Sequence, residues 1–100
     1  MAMSESLRAR IAALRIDYVK SFVQEEADFR SELAAYQDDG DQGAISRRAH
    51  RIAGTSGSYQ LDEVCAAAQK VETLCETGGS EADIDAAVQV LCTQLLRAAT

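Results

Sequence analysis

The chain has 100 residues and a formal net charge of −6, and 47% of its residues are hydrophobic. This length predicts one domain, spanning residues 1–100, with a single core. The acidic balance argues against general nucleic-acid binding. No apolar run approaches the roughly 20 residues that a bilayer span requires, so we expect no membrane association. Residues 1–20 carry alternating charges and no continuous apolar segment, so no secretory signal is expected.

The cysteine and histidine content bears on metals and on the cellular compartment. Three cysteines, Cys65, Cys75 and Cys92, stand at core-like helical positions, which is typical of reduced thiols in a cytoplasmic protein. There is one histidine and no Cys-x-x-Cys pair, so we expect neither a metal site nor a cofactor on this chain.

Apolar residues recur at three- and four-residue spacing throughout, which predicts an all-α chain. The first segment covers 4–38, and its length predicts a kink or a break near Asp17–Ser21. The others cover about 42–59, 61–76 and 81–97, with a breaker at Thr77–Gly79 before the last. Such short loops predict an antiparallel four-helix bundle. We expect an additional N-terminal helix or helix extension, whose first half caps one end.

The apolar residues of the first segment recur at three- and four-residue spacing and form one stripe of the predicted helix. Its members are Leu7, Ile11, Leu14, Tyr18, Phe22, Phe29, Leu33 and Tyr36.

The second bundle helix carries the only histidine, His50. At about 100° per residue, the predicted core stripe of this helix lies within about 40° of one direction, and His50 lies roughly 140° away. That stripe consists of Ile45, Ala49, Ile52, Ser56 and Tyr59. Gly54 and Gly57 follow His50 by four and seven residues and share its face, and Arg47 precedes it by one turn. The pattern predicts an exposed imidazole beside a surface with few side chains.

Two glycines on one helical face need a reason, because each costs about 1 kcal/mol relative to alanine. One reason is the close approach of another molecule to the backbone at Gly54 and Gly57. The alternative is close packing of a second helix against the same two residues. No Asp or Glu occurs between Gln42 and Leu61, so the sequence around the imidazole is locally basic.

The run His50-Arg51-Ile52-Ala53-Gly54-Thr55-Ser56-Gly57 resembles the phosphorylation motif of histidine phosphotransfer (HPt) domains, His-x-Leu-Lys-Gly-x-Ser/Ala. The run Leu61…Val64…Ala68…Val71-Glu72 resembles the next helix of that family. The resemblance implies that His50 accepts a phosphoryl group from a receiver-domain aspartate and passes it on in a multistep two-component phosphorelay. A neutral imidazole suits this role, because its unperturbed pKa lies near 6.5.

The resemblance also implies roles for the neighbours of His50. Arg47 and Arg51 would contact phosphoryl oxygens or carboxylates of the partner. A receiver docking surface would be formed by Ser46, Ala53, Gly54, Gly57 and Ser58. The implied partners are response-regulator receiver domains, a hybrid sensor histidine kinase, or both, with Mg²⁺ held by the receiver.

Two residues depart from the family pattern. Ala53 stands where the family often has lysine, which removes a cation that would assist the phosphoryl group. Gln60 stands where the family often has glycine, which alters the turn that ends the helix. Arg47 or Arg51 would then supply the missing charge.

Three hypotheses remain open at this point. The first is a cytoplasmic, monomeric phosphoryl carrier without catalytic activity of its own. The second is a helical interaction module that docks a receiver or kinase partner through the same glycine-lined face without being phosphorylated. The third is an ordinary structural bundle, in which His50 is partly buried and Gly54→Ala is functionally silent.

Overall fold

The computed structural model describes residues 4–100, within which the chain is all-helical with no strand, as predicted. The break expected near Asp17–Ser21 falls at Ser21. None of the helices in the described residues combines the length and the apolar character that crossing a membrane requires. The helices are α1 (Glu5–Lys20), α2 (Phe22–Asp39), α3 (Gly43–Ser58), α4 (Asp62–Glu76) and α5 (Glu81–Ala99).

Helices α2 to α5 form an antiparallel bundle. Gln37 of α2 donates to Asp85 of α5 at 3.0 Å, and Arg30 donates to Gln89 at 2.9 Å, so residue numbers rise along one helix as they fall along the other. The same reversed order relates α2 to α3 and α3 to α4. The N-terminus of α2 and the C-termini of α3 and α5 therefore meet at one end of the bundle.

The core between these helices is aliphatic and rich in small residues. Burial raises the pKa of the Cys92 thiol to about 11, and none of the three cysteines forms a disulfide within the described residues. The largest fully buried side chains are Phe22, Phe29, Ile45, Ile52, Val71, Ile84, Val88, Leu91, Cys92 and Leu95.

Helix α3 ends in the same hydrogen-bond pattern as α4, but with an unusual residue at the key position. The Leu61 N–H donates to the Ser56 carbonyl at 2.8 Å, and Gln60, the residue just before Leu61, has φ 59°. At the end of α4 the corresponding left-handed residue is Gly78, with φ 74°. A left-handed residue closes such helix ends, and glycine adopts that conformation without strain. Gln60 therefore closes the end of α3 as Gly78 closes the end of α4, at a cost in backbone strain.

Helix α1 does not bury its apolar stripe. Leu7, Ile11 and Leu14 of that stripe are 44%, 38% and 51% exposed, so this part of it does not face the core. Within α1 only Tyr18 and Val19 pack against the core. The described molecule is 49 Å long, whereas a helix of 19 residues, the length of α5, spans only about 28 Å. Helix α1 therefore continues past the end of the bundle instead of lying across it.

Candidate functional site

His50 lies in the middle of α3, and its side chain is 79% exposed. The opposite side of the helix is buried through Ile45, Ala49, Ile52 and Ser56. The Ser56 hydroxyl donates to the Ile52 carbonyl, so this buried polar group is satisfied within its own helix. The hydrophobic stripe thus fixes the rotation of α3 and turns the imidazole toward solvent.

Glu72 of α4 contacts the imidazole. His50 Nδ1–H donates to the Glu72 carboxylate, which is only 20% exposed. A carboxylate accepts hydrogen bonds and does not donate them when ionised, so this contact keeps the proton on Nδ1. The other ring nitrogen, Nε2, then carries the lone pair and is available as a nucleophile.

Sequence reasoning gave Glu72 no role, although it lies in the run that resembles the second family helix. The one signal for it is the register of two antiparallel helices. His50 precedes the turn at 59–61 by about as many residues as Glu72 follows it. The opposing position on α4 is therefore close to residue 72, and a polar side chain there reaches the imidazole.

The two glycines next to His50 differ in their surroundings. A Cβ on Gly54 would meet no heavy atom of the described residues within 4 Å, so this residue leaves open surface beside His50. A Cβ on Gly57 would lie 3.5 Å from the Cys65 sulfur of α4, which is ordinary van der Waals contact. The packing alternative therefore has some basis at Gly57 but none at Gly54.

Ala53 lies in the interface between α3 and α4, and the expectation that it contributes to an exposed docking surface is wrong. It is only 8% exposed, and its carbonyl accepts a hydrogen bond from the Cys65 thiol at 3.3 Å. The small side chains of Ala53 and Gly57 let α4 approach closely enough to cover this position. Ser46 is half-buried, whereas Ser58 is exposed and donates to the Gly54 carbonyl at 3.2 Å.

Neither of the two candidate arginines forms a hydrogen bond with His50. Arg51 Nη2 lies 3.1 Å from a Glu25 carboxylate oxygen, and the Arg51 side chain is 59% exposed. The Arg47 guanidinium folds back along α3, with Nη1 3.1 Å from where a Cβ on Gly43 would lie. Within residues 4–100, the charged group that the structure places in hydrogen-bond contact with His50 is the carboxylate of Glu72.

Arg48 attaches α3 to α2 and has a structural role. Its guanidinium donates to both oxygens of Glu32 at 3.0 Å and to Glu25 at 2.9 Å, with Asp28 at 3.5 Å. It also lies 5.7 Å from the centre of the Phe29 ring. Hydrogen bonding to Glu32 raises the pKa of Arg48 further above its ordinary value, so this side chain stays positively charged.

Comparison with known proteins addresses the family of this fold and site. The model of the Hpt domain matches residues 17–100, a range that includes α2 to α5 and His50. No curated protein matches the chain, and no solved structure does. The match confirms the resemblance to HPt domains. The match covers most of the chain, so the chain belongs to the Hpt domain family. The members of this family are the phosphotransfer modules of two-component phosphorelays.

Proposed function

We propose that this protein carries phosphoryl groups between receiver domains in a multistep phosphorelay, with His50 as the phosphorylated residue. Membership of the Hpt family supports phosphotransfer in general. The observation that carries the assignment to His50 is an exposed imidazole whose Nδ1 contacts Glu72, so that Nε2 bears the lone pair of the neutral ring. In this proposal the receiver holds the Mg²⁺ of the reaction.

The transfer step follows from this arrangement. The lone pair of His50 Nε2 attacks the phosphorus of a receiver aspartyl phosphate, the N–P bond forms, and the P–O bond to the aspartate breaks. The aspartate leaves as a carboxylate on the receiver, and the imidazole gains positive charge. The Glu72 carboxylate keeps the Nδ1 proton in a hydrogen bond and stabilises that charge. Attack by a second receiver's aspartate on the phosphorus reverses the step and releases neutral imidazole.

The surface next to His50 suits the approach of a receiver domain. Gly54 and Ser58 are exposed along the same face, and Gly57 and the half-buried Ser46 add little bulk. Phosphoryl transfer depends mainly on positioning and charge stabilisation, so a bare imidazole on a rigid helix is sufficient on this side. In this proposal the domain has no turnover of its own, and the partner supplies the remaining groups.

Arg47 and Arg51 are the cations that we propose in place of the missing lysine. The ion pair between Arg51 and Glu25 is exposed on the arginine side, and such pairs contribute little free energy. Exchanging the Glu25 carboxylate for a phosphoryl oxygen therefore costs little. Arg47 pairs with no carboxylate in the described part of the chain, and rotation about its side-chain bonds brings it toward the partner.

The test is transfer of labelled phosphate from phosphorylated receiver domains of the same genome. We expect the parent protein to accept label that is acid-labile and alkali-stable, and His50→Gln to accept none. Arg48→Gln is the control for a change on the same helix outside the docking face, and the folded fraction of that variant should still accept label. If His50→Gln accepts label as fast as the parent, the assignment to His50 is wrong.

The second candidate is a module that binds the same partners without being phosphorylated. The observation in its favour is that Ala53 replaces a cation while Arg51 is turned toward Glu25. This candidate predicts that His50→Gln still binds the receiver. It also predicts that neither the parent nor His50→Gln accepts label. The free state of the three cysteines supports our proposal of a cytoplasmic location for either candidate.

A further inference from the structure

Glu25 of α2 is a carboxylate that two arginines of α3 share. Its Oε2 accepts a hydrogen bond from Arg48 Nη1 at 2.9 Å, and Arg51 Nη2 lies 3.1 and 3.2 Å from its two oxygens. The Glu25 side chain is only 18% exposed, so the surrounding helices hold it in place. Any movement of Arg51 toward a phosphoryl group therefore takes place in competition with Glu25.

The two arginines that share Glu25 are held to different degrees. Arg48 is largely buried and also donates to both oxygens of Glu32 at 3.0 Å. Arg51 is mostly exposed, and within residues 4–100 its ion pair is with Glu25 alone. When Arg51 turns away, Glu25 keeps its bond to Arg48. The main cost of breaking an ion pair, a poorly solvated charge left without a partner, is therefore avoided.

Phosphorylation of His50 would place a second anion within reach of Arg51. The two residues are consecutive, so their Cα atoms are about 3.8 Å apart, and rotation of the arginine side chain is enough to bring its guanidinium to a group on the imidazole. A protein-bound phosphoryl group carries about −1.5 to −2 charge at pH 7, more than a carboxylate does. Its oxygens also suit the fork of donors on an arginine. In the phosphorylated protein, two anions therefore compete for one cation.

We propose that Glu25 is a positioning residue that limits how tightly His50 holds the phosphoryl group, because it competes for Arg51. This inference rests on the proposed function. Glu25 exchanges no proton and no phosphoryl group, and the N–P bond forms and breaks as in the transfer step above. By pairing with Arg51, it raises the free energy of the phosphorylated protein relative to a chain without this carboxylate. The phosphoryl group is then passed on to a second receiver more completely.

The equilibrium division of labelled phosphate between His50 and a receiver domain tests this role. Glu25→Gln keeps the shape of the side chain and should shift the equilibrium toward His50 by about two- to fivefold, the factor to which an exposed ion pair corresponds. Glu32→Gln is the matched control, because Glu32 also pairs with Arg48 but makes no contact with Arg51. It should leave the equilibrium unchanged. A role of Glu25 in holding Arg48 alone would shift both variants alike.

A double variant shows whether Glu25 acts through Arg51. Arg51→Gln should shift the equilibrium away from His50, and adding Glu25→Gln to it should have no further effect, because the cation for which Glu25 competes is gone. The inference is overturned if Glu25→Gln matches the parent, if Glu32→Gln shifts the equilibrium equally, or if the effect of Glu25→Gln persists without Arg51. A parent that accepts no label on His50 contradicts the proposed function itself, whereas a labelled parent with an indifferent Glu25→Gln contradicts only this inference.

A measurement on the parent chain alone gives the same answer even if Glu25→Gln does not fold. The ¹H–¹⁵N NMR signals of the arginine Nε–H groups report on their hydrogen-bond partners. On phosphorylation of His50, the signal of Arg51 should shift as its guanidinium divides its time between Glu25 and the phosphoryl oxygens. The signal of Arg48, whose Nε donates to Glu32, should stay in place. An Arg51 signal that does not move on phosphorylation overturns the inference.

Discussion

Helix α3 has two faces that are built from different residues and have different roles. One face consists of Ile45, Ala49 and Ile52, which are at most 1% exposed and hold the helix in the bundle. The other carries His50 at 79% exposure, with Gly54 leaving open surface one turn later. The buried face determines the rotation of the helix, and the exposed face uses that rotation to present an imidazole.

Substitutions on the buried face should change stability, whereas substitutions on the exposed face should change phosphotransfer. A change on the buried face removes contacts that a rigid core cannot replace. A change on the exposed face removes almost no contacts, because Glu72 is the residue that holds the imidazole there. Variants of the two faces should therefore fail in different assays.

The largest effect is expected from Ile52→Ala on the buried face. Ile52 is 1% exposed, and truncating such a side chain costs about 3 kcal/mol of unfolding free energy. Urea unfolding measures this loss, and the folded fraction should still accept phosphate at the parent rate. Arg47→Ala on the exposed face is the control, with an expected change within about 0.5 kcal/mol. Similar losses in the two variants would contradict the division into faces.

The next effect is on the rate of phosphorylation and concerns the contact of Glu72 on α4 with His50 on α3. Glu72→Gln keeps the shape of the side chain but removes the charge that stabilises the imidazolium, so phosphorylation should slow by about tenfold. The unfolding free energy should hardly change. Glu76→Gln, one turn later on α4 and exposed, is the matched control. Equal phosphorylation rates for Glu72→Gln and the parent would remove Glu72 from the site.

Gly54→Ala should move stability and function in opposite directions. An added Cβ meets no heavy atom of residues 4–100 within 4 Å, so the helix should gain about 0.5–1 kcal/mol. The same methyl group lies on the proposed docking surface and should slow transfer from a receiver severalfold. Thermal unfolding and label transfer measure the two effects. A stabilised variant with unchanged transfer would support the purely structural hypothesis for this face.

The smallest effect is expected at the turn that ends α3. Gln60→Gly relieves a left-handed conformation with φ 59° and should stabilise the protein. The gain should be only about 0.5 kcal/mol, because the greater freedom of glycine in the unfolded chain offsets part of it. The reverse change at the equivalent turn, Gly78→Gln, should destabilise it by a comparable amount. Chemical denaturation of both variants checks the pair, and a loss of stability in Gln60→Gly would mean that its side chain has a role.

Local patterns in the sequence were enough to predict most of the fold. The stripe through Ile45, Ala49 and Ile52 indicated the buried face of α3, and the unusual length of the first segment indicated the break at Ser21. These features depend on periodicity and on nearby hydrogen bonds. They do not depend on which other helix lies opposite.

The features that were missed all depend on a second element. Leu7 and Ile11 have the spacing of core residues, but periodicity does not tell whether the chain supplies a surface to cover them. Ala53 is buried because α4 comes close at Gly57, and Glu72 reaches His50 only through the register of α3 against α4. Such contacts become visible when the packed helices are seen together.

The central claim is that the phosphoryl group is carried by Nε2 of His50 while Nδ1 stays protonated against Glu72. Long-range ¹H–¹⁵N correlation NMR of the ring nitrogens, recorded before and after phosphorylation, measures this directly. We predict an Nδ1–H tautomer in the free protein and a phosphorus coupling to Nε2 in the phosphorylated one. Phosphate on Nδ1, or an unmodified imidazole in a protein that carries phosphate, would contradict it.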